Sequence, residues 1–239
     1  MSGDSLAPGT LAIVIPVLNE AARLPATLAR LTAEARAAEI VVVEIVVVDG
    51  GSEDDSVAIA RGQGARVVFA ARGRGSQLAA GIRATRAPWL LLLHADTVLA
   101  PGWGAVVARF IGSPEASERA GYFRFALAET APWARRLMRV VAWRARALGL
   151  PYGDQGLVIS RAFLSAIGGM ADIPLMEDVD LARRIGRARL AALAADATTS
   201  AARYRRGWRR RSLRNLACLG LYCLGVPPSR IAALYDAGG

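Results

Sequence analysis

Four short apolar runs, each followed by a helix-like segment, constrain this chain more than any other feature. They are Leu11 to Pro16, Glu44 to Val48, Arg66 to Ala70 and Trp89 to Leu93. These runs are rich in Val, Ile and Leu and do not alternate with polar residues. A strand that is apolar on both sides must be covered on both sides, and strand–helix repetition supplies the covering helices. The pattern predicts an α/β fold built on a mostly parallel, twisted sheet flanked by helices. Asn19 can cap a helix whose apolar positions are Leu24, Leu28 and Leu31, while Ser52 and Ser76 start two further helices. Glu39 to Val43 is repeated at once by Glu44 to Val48, a tandem duplication in which only the copy abutting Asp49 is needed for the sheet.

Beyond His94 the pattern loosens. Pro101 to Ile111, Pro132 to Leu148, Met176 to Gly186 and Arg205 to Leu224 read as helices. Ala120 to Ala128 reads as a strand, and Gly153 to Ser160 as a loop entering another. No low-complexity linker interrupts the chain. The expected organisation is one domain over 1–200 with a helical C-terminal appendage over 201–239.

The 239 residues suffice for a sizeable core without disulfides or a structural metal. Cys218 and Cys223 would face different sides of one helix, so no bridge is expected. The apolar runs are too short for a spanning helix, which needs roughly 20 residues. Residues 1–10 lack the basic start of a signal peptide, which places the chain in a reducing cytoplasm. The net charge is +10, and all 30 basic residues are Arg, with no Lys. With the high Ala content, this reads partly as GC-rich coding; the remainder calls for an anionic partner such as a phosphate, a nucleotide or a lipid head group.

Open α/β sheets place ligands just past the carboxyl ends of their strands. Asp49 follows the second run and Asp96 the fourth, where a carboxylate can hold a base, a ribose or a divalent cation. Each could instead close a turn or cap a helix, but both at equivalent places in one chain favour a site. Arg72-Gly73-Arg74-Gly75-Ser76 joins a strand to a helix start, an arrangement suited to cradling an anion, although it is neither a dinucleotide fingerprint nor a Walker loop. Glu177, Asp178 and Asp180 open a helix. The helix dipole accounts comfortably for one acid there and less easily for three, and an acid facing a cleft can act as a general base.

Together, Ile15-Pro16-Val17-Leu18-Asn19-Glu20, Val47-Val48-Asp49-Gly50-Gly51-Ser52, Leu93-His94-Ala95-Asp96 and Met176-Glu177-Asp178-Val179-Asp180-Leu181 resemble the family 2 glycosyltransferases of GT-A fold over roughly residues 10 to 200. Gly73 to Leu78 and Gly153-Asp154-Gln155-Gly156 are similar to a small subfamily found beside radical-SAM and selenium- or arsenic-related genes. The resemblance implies metal-assisted, inverting transfer of a sugar from a nucleoside-diphosphate sugar, UDP-linked by family default. It implies Asp178 as base, with Glu177 orienting it or the acceptor. It implies Pro16, Asn19, Glu20, Asp49, Arg74, His94 and Ala95 around the donor nucleotide, and Asp96, the last Asp of the family's D-x-D, on Mg²⁺ or Mn²⁺. His94 departs from the Asp the family commonly has, leaving one carboxylate fewer for the ion. Arg124, Tyr152 and Gln155 are the acceptor-side candidates.

Six Arg in nine residues, Arg203 to Arg211, are interleaved with Tyr204 and Trp208 and precede an apolar stretch. This end suits a membrane surface, and with it a lipid-linked acceptor and a place at the inner face of the membrane; it suits a homodimer interface equally. Two rival readings are a nucleotidyltransferase with a related site and a basic nucleic-acid-binding protein. The first lacks a Gly-rich basic loop after its first strand, and the second lacks any known module, so no specific nucleic acid is expected.

Overall fold

The computed structural model describes residues 9–37, 42–200 and 208–237, with the backbone alone at 35–37, 42–43, 208–212 and 236–237. The four apolar runs become β1 (Leu11–Val17), β2 (Val42–Asp49), β3 (Arg66–Phe69) and β4 (Trp89–Leu92). Between them lie α1 (Leu24–Ala37), α2 (Ser56–Gly62) and α3 (Arg74–Ala84). The helix expected from Ser52 starts one turn later, because Asp54 takes the backbone N–H and the hydroxyl of Ser56. Then come β5 (Thr97–Leu99), α4 (Trp103–Ile111), β6 (Ala120–Leu127), α5 (Pro132–Leu148), β7 (Leu157–Ser160), α6 (Arg161–Ala166), α7 (Glu177–Ile185) and β8 (Leu190–Thr199). Two C-terminal helices, α8 (Trp208–Cys223) and α9 (Pro228–Ala237), complete the order.

One eight-stranded sheet runs β3-β2-β1-β4-β7-β6-β8-β5. β1 to β4 are mutually parallel, β7 runs against β4 and β6, and β8 is parallel to β6 but antiparallel to β5. All seven residues of β1 are buried. Leu11, Ile13 and Ile15 enter the core that holds Leu24, Leu28 and Trp103, while Ala12 and Val14 enter the opposite one with Leu78, Phe163 and Leu181. That alternation between two covered faces is why the run is apolar throughout, each fully buried aliphatic side chain contributing about 1.5–3 kcal/mol.

Tight packing positions the site. Gly81 of α3 sits against Val14 and Val48, where a Cβ would collide with both side chains. At the start of the same helix, a Cβ on Gly75 would strike the carbonyls of Ala171 and Ile173. Glycine there lets the segment leading into α7 cross closely over α3, and Ser76 fastens it by a hydrogen bond to Asp172. In the tandem repeat, Val42 and Val43 extend β2, and the pairing with β1 slips between Leu11 and Ala12; residues 38–41 lie outside the described residues. Cys218 is buried, Cys223 is exposed, and both are free thiols. Among the described residues no helix is long and apolar enough to cross a membrane.

Candidate active site

The loops that leave β1, β3 and β4 open onto a cleft of about 1230 Å³. Pro16 and Glu20 line it from the first loop, Arg72 and Arg74 from the second, and His94, Ala95 and Asp96 from the third. Beside it lies a cavity of about 790 Å³, which shares Arg74, His94 and Asp96 and adds Glu177 and Asp178. Residues far apart in sequence thus converge where an α/β sheet binds its ligands.

Asn19 and Asp49 do not line that cleft. The Asp49 carboxylate accepts the N–H groups of Gly51 and Ser52, and only 2% of the residue is exposed. Asn19, in the left-handed region at φ 54, donates its backbone N–H to Ser52 Oγ and accepts the N–H of Glu53 on Oδ1. Asn19 clasps the β1 loop to the β2 loop, while Asp49 closes the turn that follows β2. Gln77 reinforces the clasp by donating Nε2 to the carbonyls of Val17 and Val48.

The acids at the head of α7 separate by environment. Met176 takes φ 68, an uncommon left-handed conformation for a side-chain-bearing residue, and turns the chain so that Glu177 and Asp178 enter the cavity. Asp178 Oδ2 accepts the N–H of Gly153 at 2.9 Å, which fixes the carboxylate against the 152–156 loop. Asp180 is spent elsewhere: it binds Arg184 and receives the hydroxyl of Tyr222 from α8 at 3.1 Å. Glu177 is 1% exposed. Its neighbour is an apolar hollow of about 470 Å³ walled by Leu92, Leu157, Met170 and Leu181. Burial first, and then the Asp178 charge, push the Glu177 carboxyl up to about 7, against the pull of Arg74. Burial opposes the charge on Arg74, but Glu177 and Asp178 outweigh it and hold the guanidinium above its usual range, with Tyr235 and Asp96 adding to the effect.

Of the three acceptor-side candidates, only Tyr152 faces the cavity. Gln155 is buried, and its amide serves the Phe123 carbonyl and the Tyr152 N–H. Arg124 pairs with Asp196 across β6 and β8 at an exposed position. Both make structural bonds away from the reacting groups. The cavity-facing acid of that loop is Asp154, whose Oδ1 is buried without a hydrogen-bond partner and whose carboxyl burial raises to about 6. Gly153 abuts the His94 ring so closely that a Cβ would overlap it. Thr199, Ser200, Asn215 and Tyr235 complete the wall. Tyr235 borders both cavity and cleft and stacks on Arg214 at 4.0 Å, so α8 and α9 build part of the site instead of hanging from it. Arg203, Arg205 and Arg206 lie outside the described residues, as do the side chains of Arg209, Arg210 and Arg211.

Four acids (Asp96, Asp154, Glu177 and Asp178) face a single guanidinium, Arg74, among the described residues of this cavity. Among the described residues no group of three His, Cys, Asp or Glu could hold an ion unaided. That donor set fits a hard cation that takes a carboxylate oxygen from Asp96 and most of its other ligands from phosphate and water.

A model of glycosyl transferase family 2 matches residues 12–159, more than half the chain. Uncharacterized glycosyltransferases of Mycobacterium bovis and Mycobacterium tuberculosis are 38% identical over 97 residues, 40% of this chain and 38% of theirs. The match thus spans about two-fifths of the curated relatives' length. Glucosyl-3-phosphoglycerate synthase from Mycobacterium tuberculosis, solved with Mn²⁺, UDP and glucosyl-3-phosphoglycerate, superposes with a TM-score of 0.56 at 20% identity, covering 80% of this chain and 70% of that one. Mannosyl-3-phosphoglycerate synthase from Rubrobacter xylanophilus gives 0.57 at 20% identity, covering 80% and 65%. These likenesses establish the fold, a GT-A-like mixed sheet flanked by helices. The chain belongs to glycosyl transferase family 2.

Proposed function

We propose that the protein transfers a sugar from UDP to a hydroxyl acceptor with inversion, assisted by Mg²⁺ or Mn²⁺. The observation that carries this reading is the convergence of Arg74, Asp96 and the Glu177–Asp178 pair, from three distant stretches, on one cavity. The family supports sugar transfer, and proteins of the same fold have been crystallised with UDP and either ion. The finer likeness to the radical-SAM-associated subfamily rests on the Gly73 to Leu78 and Gly153 to Gly156 motifs alone.

In this reading the nucleotide lies in the larger cleft between Pro16, Glu20 and Ala95. The first turn of α3 and the Arg74 guanidinium receive the diphosphate, where unpaired N–H groups and positive charge favour an anion. Asp96 would hold the cation, whose chemistry when bound would be to offset negative charge on the leaving phosphate. Arg74 opposes the same charge from the protein side. Asp178, held by the Gly153 N–H, takes the proton of the attacking hydroxyl. One base serving one displacement gives inversion. Residues 1–200 supply the catalytic groups, and the C-terminal helices contribute Tyr235 to the donor side.

Two variants test this reading. Asp96→Asn should abolish the Mn²⁺-dependent part of UDP affinity in a calorimetric titration; an affinity still enhanced by Mn²⁺ rejects Asp96 as the ligand. Tyr235→Ala removes a hydroxyl bordering the diphosphate site and should raise the donor KM by roughly tenfold, the size of one lost hydrogen bond to a charged group. An unchanged donor KM removes α9 from the binding site. A panel of UDP-sugars with Mg²⁺ and Mn²⁺ tests the reaction itself: no turnover or hydrolysis with any of them rejects the proposed donor class.

A further inference from the structure

Helix α5 buries Ala134, Val141 and Ala145 toward β6. On its opposite side Arg136, Val140, Trp143 and Ala147 follow one another at i, i+3 and i, i+4 spacing and form a single ridge. Val140 and Trp143 are each 60% exposed. Arg135, Arg139 and Arg146 stand exposed along one flank. The helix carries five arginines and no acid. Among the described residues Arg135, Arg136 and Arg139 meet no carboxylate.

A solvated helix face has no use for an indole and an isopropyl group projecting between guanidiniums. An anionic bilayer does: arginines sit on the head groups while Trp and aliphatic side chains enter the interfacial layer. Nucleic acid would satisfy the arginines but leave the exposed Val140 in water. The helix is also joined to the catalytic cavity. Arg144, in its last turns, donates to the Leu150 carbonyl at 2.9 Å and lies 3.3 Å over the ring of Tyr152, which lines that cavity.

We propose that the α5 ridge docks the protein on an anionic lipid surface, bringing the Tyr152 side of the cavity toward the bilayer, where an amphiphilic acceptor would be met. Docking itself stands independently of sugar transfer; only the link to the acceptor rests on that reading.

The test is flotation of the full chain with phosphatidylglycerol-containing vesicles and with pure phosphatidylcholine vesicles, without nucleotide, so that a failure of sugar transfer does not affect it. The wild type should float only with the anionic vesicles. A variant carrying Arg135→Gln, Arg136→Gln and Arg139→Gln should lose roughly a hundredfold in vesicle affinity, and Trp143→Ala about tenfold. Melting temperature and UDP affinity should stay at wild-type values in both, since none of these residues lines the cavity. Binding of the wild type to neither vesicle, or equal flotation of wild type and triple variant, overturns the proposal. So does competition by short duplex DNA at equal affinity, which would make the face a nucleic-acid site. A dimer broken by Trp143→Ala with no vesicle binding would make it a subunit interface and likewise overturns it.

Discussion

Exchanging Asp178 for Asn is expected to lower sugar transfer by roughly 10²–10⁴-fold, the range over which a positioned general base acts. UDP and metal affinity should stay unchanged. Asn is the informative substitution because its amide oxygen can still accept the Gly153 N–H that anchors Asp178 at 2.9 Å. The 152–156 loop should therefore keep its place, along with Tyr152 and Asp154. What disappears is the capacity to take a proton, together with the oxygen that accepts the Val179 N–H. The interaction is needed only as the acceptor attacks, so kcat and kcat/KM should fall together while the dissociation constant for UDP does not move. A rate equal to wild type would remove Asp178 as the base. A parallel loss of UDP affinity would place it in donor binding instead. Two of the neighbouring acids cannot readily substitute. Asp180 is already engaged by Arg184 and Tyr222, and Glu177 is held toward its protonated form by burial.

Why some of this was legible in the residue order and some was not comes down to whether the signal is local. β1 to β4 announce themselves because strands covered on both faces need consecutive β-branched and aliphatic residues. β8, Leu190 to Thr199, is half Ala and carries no such signal, yet it pairs with β6 over most of its length. Without β8, the Asp196 partner of Arg124 could not be named. β5 has only three residues, and α6 six, started by Ser160 accepting the Phe163 N–H. The acids at α7 and the carboxylate after β4 were legible because strand ends and helix starts are where such folds bind. Asp49 carried the same signal for a different reason: its turn needs an acceptor for two N–H groups. Tyr235 lies beyond any local pattern. It reaches the site only because Tyr222 ties α8 to Asp180 and α9 folds back on α8, with Arg214 under the Tyr235 ring.

Glu177→Gln should raise the melting temperature at pH 8 and leave it unchanged near pH 4.5. Burial keeps the folded carboxyl protonated up to about 7, whereas an unperturbed Glu releases its proton near 4.5. Between those values the folded state binds more protons than the unfolded state, so the stability of the wild type falls as pH rises through this window. Gln is neutral at every pH and removes that dependence. A displacement from 4.5 to about 7 corresponds to about 3 kcal/mol at most. In a chain of this size that amounts to roughly 6–12 °C at most. Arg74 is not orphaned by the change, because Asp96 and Asp178 still face it. The opposite result, a variant that melts lower than wild type at pH 8, would mean that pairing with Arg74 outweighs burial and that folding does not raise the Glu177 carboxyl. Its role beside the base would then be that of a fixed negative charge. A neutral carboxyl, by contrast, can donate a hydrogen bond to the carboxylate of Asp178 or to the acceptor oxygen, and turnover should depend on that donor. Gln retains an N–H in the same place, so in this account Glu177→Gln loses much less activity than Glu177→Ala, and the difference between the two variants measures the hydrogen bond.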